Sequence, residues 1–296
     1  MSISLLRGAR SGHPRRAWLW GGLLALLLIA GWLGEPAQAQ EVNSQGTVPP
    51  ASIFLPLLHT PGTGTPNGCP ATSANHYDPV PILGDARPAL PAPVDDPDLN
   101  LEMRGWVETP GVKGLIALGG DTHDDAPQLA HLFRPARLAT FSALYRVHDW
   151  NWTGVCAQSA EEPGCRGDPI ADPPVTLIGL ATTPGESLYL PKREMDILNG
   201  DHRALALYAE ATRLTLVYTR ADSIVHGYVV HLENFCVDPN LLTLYHQLHE
   251  AGRGQLPGLG LDVPLGTSRA PSVLVAVRDE GSFMDPRSAK DWWKGY

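Results

Sequence analysis

Hydrophobic and polar positions divide the chain into stretches of different texture. The first, Ala17 to Leu33, is almost wholly apolar; it follows Arg7, Arg10, Arg15 and Arg16 and precedes Ala37-Gln38-Ala39. That order is the layout of a secretory signal peptide over residues 1–39, with cleavage expected after Ala39. An uncleaved anchor is the alternative, because a run of this length is at the lower limit of what spans a bilayer. Residues 40–97 are rich in Pro, Gly, Thr and Ser, broken only by Ile53-Phe54-Leu55-Pro56-Leu57-Leu58, and read as a linker.

Past Pro97 short apolar stretches alternate with turn residues, the texture of a mainly β fold. Leu99-Asn100-Leu101-Glu102-Met103 alternates as a half-buried strand does, and Phe141–Val147 and Val175–Leu180 continue the series. These define a sandwich-like β module over 98–190. A second module, 191–296, carries strands at Ala204–Ala209, Leu214–Tyr218, Ile224–Leu232 and Ser272–Arg278. One helix interrupts it: Asp238 caps, Pro239 takes the first position, Leu241, Leu244, Tyr245 and Leu248 recur at helical spacing, and Gly252 stops it.

Charge narrows the partners. Without residues 1–39 the chain keeps 18 basic and 30 acidic residues, a net charge of −12. Nucleic-acid binders concentrate Lys and Arg on one face, so no nucleic-acid partner is expected. Four cysteines, Cys69, Cys156, Cys165 and Cys236, in a chain bound for an oxidising compartment imply disulfides. Cys156 and Cys165 bracket a short loop and are expected to pair, leaving Cys69 for Cys236 by elimination, although four cysteines allow three connectivities.

The chemistry is sparse. There is no Gly-x-Ser-x-Gly elbow, no His-Glu-x-x-His helix and no phosphate-binding Gly-rich loop followed by Lys. Asp121, His123, Asp124 and Asp125 form the densest set of oxygen and imidazole ligands, readable as a metal loop or as an exposed Gly/Asp turn. His246 and His249 share one face of the helix, but the following glutamate fits no zinc-peptidase helix. His226 and His231, five apart on one expected strand, fall on opposite faces. Trp150 and Trp152, and Trp292 and Trp293, are aromatic pairs suited to stacking on sugars or capturing a peptide, or else to packing in a core.

Val277-Arg278-Asp279-Glu280-Gly281 followed by Asp285-Pro286, together with Met195-Asp196-Ile197, Leu207-Tyr208-Ala209 and Leu244-Tyr245-His246-Gln247-Leu248, gives residues 192–286 a familiar order of landmarks. This stretch resembles the lysostaphin-type (LytM-like) zinc endopeptidases of peptidoglycan, in degenerate form. The resemblance implies a lysostaphin-like β core with one inserted helix. It also implies that Lys192 and Leu274 stand where two zinc ligands belong, and Gln247 and Ser272 where two catalytic histidines belong; only Asp196 survives. Zinc catalysis needs three protein ligands and an open water position, so no zinc and no catalytic residue is expected. The whole chain also resembles exported bacterial proteins that end in a similar Asp-Pro-Arg-Ser-x-Lys-Asp-Trp-Trp, a likeness that carries no activity.

The expectation is therefore a secreted or envelope-associated, non-catalytic protein that binds a wall component such as peptidoglycan, or an envelope protein, touching membrane only if the signal stays uncleaved. Two alternatives stand beside it: an active hydrolase of peptidoglycan or peptides, built from Asp196, His202, His246 or the Asp121–Asp125 cluster, and a structural surface protein.

Overall fold

The structure, a computed structural model, describes residues 68–88, 92–153 and 164–296. The expected signal peptide, most of the expected linker including its Ile53–Leu58 patch, and Cys156 lie outside the described residues.

The fold is mainly β. In chain order the strands are β1 (Pro79–Pro81), β2 (Trp106–Glu108), β3 (Phe141–Asn151), β4 (Cys165–Pro169), β5 (Leu177–Ala181), β6 (Ser187–Leu188) and β7 (Ala204–Glu210). They continue as β8 (Arg213–Val217), β9 (Tyr228–Glu233), β10 (Phe235–Val237), β11 (Gln255–Leu259), β12 (Gly266–Ser268), β13 (Ser272–Asp279) and β14 (Ser282–Met284). The helices are α1 (Leu101–Arg104), α2 (Pro239–Glu250) and α3 (Ala289–Trp292). Among the described residues, no helix is long and apolar enough to cross a membrane.

One antiparallel sheet runs β1-β11-β7-β8-β9-β13-β5-β3-β2, with β14 on β13 and β4 on β3; β10, β12 and β6 form a smaller one. In the larger sheet β13 is an interior strand, whose Val273, Val275 and Val277 enter the large core while Leu274 and Ala276 face a smaller cluster with Leu101, Val147, Leu177 and Phe283. Burial on both faces requires packing on both sides of the sheet, and it explains why Ser272–Arg278 reads as a near-continuous apolar run rather than an alternation. The neighbours of β13 are β9 on one side and β5 on the other. Strands from 98–190 and from 191–296 are thus adjacent in one sheet, which does not divide at residue 190.

The helix expected after Asp238 is α2: the Asp238 carboxylate accepts from the backbone N–H groups of Asn240 (2.9 Å) and Leu241 (3.4 Å), and Gly252 at φ 92° follows its end. The strand expected at Leu99–Met103 is not formed. Asn100 instead caps α1, accepting from the Glu102 N–H at 3.3 Å, and Gly105 at φ 61° ends it after one turn. Leu99 and Leu101 are both fully buried, but in different clusters, so the alternation marked two cores rather than one strand face. The His226 and His231 placement is also revised, because His226 lies in an exposed turn before β9 and only His231 is on the strand.

The described part of the expected linker is fastened to the fold. Cys69 is disulfide-bonded to Cys236 of β10, and both are buried. Ser73 and Asn75 donate to the Asp238 carboxylate at 2.6 and 2.7 Å, and β1 pairs with β11. Cys165 is also disulfide-bonded.

At the end of β9 the sheet buries a carboxyl group. Glu233 lies opposite Arg213 of β8, whose Nε donates to it at 3.2 Å while the same guanidinium also meets Glu210 (3.1 Å), Glu102 and the Asn100 side-chain oxygen (3.0 Å). Burial, opposed by Arg213, pushes the Glu233 carboxyl up from 4.5 to about 8. The folded chain then holds a proton that the unfolded chain releases between those values, so Glu233 makes stability fall as pH rises through this window. Glu233→Gln is expected to remove a loss on the order of a few kcal/mol between pH 6 and 9. Urea unfolding of both proteins at the two pH values measures it, and parallel pH dependences would refute it.

Candidate functional site

The Asp121–Asp125 turn reaches the end of the central sheet, where two strands present side chains to it. Tyr228 opens β9 and Asp279 closes β13, directly opposite one another in register, so both side chains emerge on the same face. His123 Nδ1 lies 2.9 Å from the Tyr228 hydroxyl and 3.5 Å from Asp279 Oδ2, with the His123 and Asp279 side chains about a quarter exposed (28% and 25%). The turn is pinned by Asp291, which accepts the His123 backbone N–H at 3.0 Å, and by Lys294, which donates to the His123 and Asp124 carbonyls. Trp292 forms the floor, its ring 5.8 Å from both His123 and Tyr228.

Electrostatics give these groups different tasks. Burial and the nearby Asp279 carboxylate push the Tyr228 hydroxyl up to about 12, against the pull of Arg193, so it stays protonated at neutral pH. Burial also raises Asp279, with His123 opposing, whereas Asp291 is lowered by the Ser288 hydroxyl, the His123 N–H and Lys290, against burial. A histidine between a protonated hydroxyl and a carboxylate is an arrangement able to hold or pass a proton.

The other carboxylates of the turn do not join it. The Asp124 side chain, 91% exposed, points to Lys294 at 3.5 Å, while Asp121 and Asp125 use their carbonyls to accept from Lys290 and Arg193. Among the described residues, no group of three His, Cys, Asp or Glu side chains is placed to hold a metal ion.

His246 is exposed on α2, and His249 stacks on Tyr245 with its Nδ1 3.4 Å from Arg253. Burial, Arg253 and His246 together hold the His249 imidazole below its usual range. His231 is wholly buried, contacts the Thr215 hydroxyl at 2.9 Å through Nδ1, and is driven by burial well below the usual imidazole value. Trp292 and Trp293 are core residues rather than a stacking platform: they are 1% and 0% exposed, and their indole N–H groups donate to the Asp285 and Pro286 carbonyls. Trp150 is buried at 6%, but its neighbour Trp152 is 49% exposed, on the wall of an open surface cavity with Asp149, Asn151 and Asp168.

The positions that the resemblance assigns to zinc do not fit the ion. Lys192 pairs with Glu194 at 2.7 Å, Asp196 pairs with Arg203 at 2.5 Å, and Leu274 lies in the smaller apolar cluster. An ammonium group and an isobutyl group supply no lone pair to a metal, and the one carboxylate present is ion-paired with Arg203. Ser272 shares a hydrogen bond with the Ser142 hydroxyl at 2.8 Å, and Gln247 is exposed on α2. No family model, no curated protein and no solved structure matches this chain.

Sequence reasoning missed the partners of His123. Tyr228 and Asp291 are 105 and 168 residues away from it, and no local spacing links positions that only sheet register and the carboxyl-terminal segment bring together.

Proposed function

We propose that this chain is an exported, non-catalytic binding protein of the cell envelope, its carboxyl-terminal part a degenerate relative of the lysostaphin-type endopeptidases and its partner peptidoglycan or an envelope protein. The observation that carries the reading is the fate of the three zinc positions, held by an ion-paired lysine, an ion-paired aspartate and a buried leucine. The antiparallel run β7-β8-β9 followed by the β13–β14 hairpin and Asp285-Pro286 supports the same order of landmarks. Buried disulfide bonding of Cys69 to Cys236 fits an oxidising compartment, and the exposed Trp152 offers an aromatic face to a ligand.

A second reading rests on His123, whose contacts with Tyr228 and Asp279 give it the surroundings of a proton-transfer group in a hydrolase. Co-sedimentation of residues 40–296 with purified peptidoglycan separates the two. The expected outcome is saturable retention without release of soluble fragments. Fragment release that His123→Ala abolishes would replace the first reading by the second.

A further inference from the structure

We infer that the cavity lined by His131, Arg134 and Lys192 is a binding site for a small monoanion, a carboxylate carried on a short apolar body. The cavity encloses about 350 Å³, and its apolar wall is formed by Phe133, Leu190 and Leu261, with Asp262 as the one acidic residue lining it. Volumes near the lower end of the usual ligand-pocket range suit a molecule of one or two residues rather than a polymer. Two cationic side chains and an imidazole gathered around one hollow stand out in a chain whose net charge is −9.

The cations are held in place but only weakly neutralised. Arg134 stacks over the Tyr189 ring at 4.4 Å and donates to the Leu261 carbonyl, so its planar fork is pre-oriented. Lys192 is fixed through its backbone carbonyl, which accepts from the Gln128 N–H at 2.8 Å beside the turn that carries His131. Their acidic partners, Asp262 for Arg134 and Glu194 for Lys192, have side chains 84% and 81% exposed. Ion pairs of that kind contribute at most about 1 kcal/mol, so a ligand carboxylate is able to displace them. The Arg134 and Lys192 side chains are 45% and 36% exposed, so both cations sit at the rim of the cavity while Phe133, Leu190 and Leu261 line its apolar wall. His131 reports the cations' field: burial first, then Lys192 and, less strongly, Arg134 hold its imidazole below its usual range, while Glu194 acts in the opposite direction. Asp262 and Glu194 offset part of the charge of Arg134 and Lys192, so the net positive charge at the cavity suits a monoanion better than a dianion. The inference stands on the cavity alone and does not depend on the export or family readings.

The test is an NMR titration of the His131 ring in the full chain, using N-acetyl-alanine, its carboxamide and inorganic phosphate as probes. The expected result is a saturable shift with N-acetyl-alanine, an accompanying rise in the His131 pKa, and at least tenfold weaker binding in Lys192→Gln, whose side chain is already 36% exposed and tolerates the change. The carboxamide is expected not to bind. Equal binding of the carboxamide, undiminished binding in Lys192→Gln, or absence of a saturable shift would overturn the inference. Inorganic phosphate binding as tightly as the acid would overturn the apolar-bodied class of ligand.

Discussion

Asp222→Ala is expected to destabilise the folded chain by about 3–5 kcal/mol, because it strands a buried guanidinium. The Arg253 and Asp222 side chains are 3% and 0% exposed. Arg253 donates twice to the carboxylate, Nε at 2.8 Å and Nη2 at 2.7 Å, and also to the Leu207 carbonyl of β7 at 2.9 Å and the Tyr245 hydroxyl of α2 at 3.3 Å. Asp222 in turn accepts the Arg87 backbone N–H at 2.9 Å. One ion pair thus ties the end of α2, the central sheet and the segment leading from β1. Replacing both partners by apolar residues, Asp222→Leu with Arg253→Met, is expected to cost less than Asp222→Ala alone, since no charge is left unpaired. Urea unfolding measures both variants; a double variant as unstable as the single one would contradict the stranded-charge explanation.

Loss of the Cys69–Cys236 disulfide is the second large effect. The bond closes a loop of 167 residues, and in the chain-entropy picture a crosslink of that span restricts the unfolded state by about 5 kcal/mol. Strands β1 and β11 and the Asp238 hydrogen bonds fasten the same region without it, so Cys69→Ser/Cys236→Ser is expected to lose about 3–5 kcal/mol while keeping the sheet. Hydrogen exchange should accelerate first in β1 and β10. A loss below about 1 kcal/mol would show that the noncovalent contacts already hold the amino-terminal segment in the unfolded ensemble.

The parts of this fold legible in the sequence are those whose signal is local. Helix α2 was marked by its cap, its proline and its terminal glycine, and β7 and β13 by unbroken apolar runs that follow from burial on both faces. Strands β1 and β11 were not legible, because Pro79, Pro81 and Pro257 argue against a strand unless the pairing lies at the end of a sheet, as it does here. The Leu99–Met103 alternation misled because two neighbouring cores claimed its leucines separately. His123 stood out as one of a dense polar set, yet the useful selection within that set came from register, which placed Tyr228 and Asp279 side by side and left Asp124 in solvent. The basic cavity had no sequence signal at all, since His131, Arg134 and Lys192 are brought together by the turn at Leu129–Leu132 packing beside the Lys192 backbone.

The most direct measurement of the central claim is metal analysis of residues 40–296 by native mass spectrometry, with and without chelator. A degenerate, non-catalytic relative of zinc endopeptidases is expected to carry no stoichiometric metal, with Asp196→Ala indistinguishable from the parent chain. One zinc per chain, lost in Asp196→Ala, would contradict it: Asp196 would then be a ligand rather than the partner of Arg203, and a hydrolase would have to be sought.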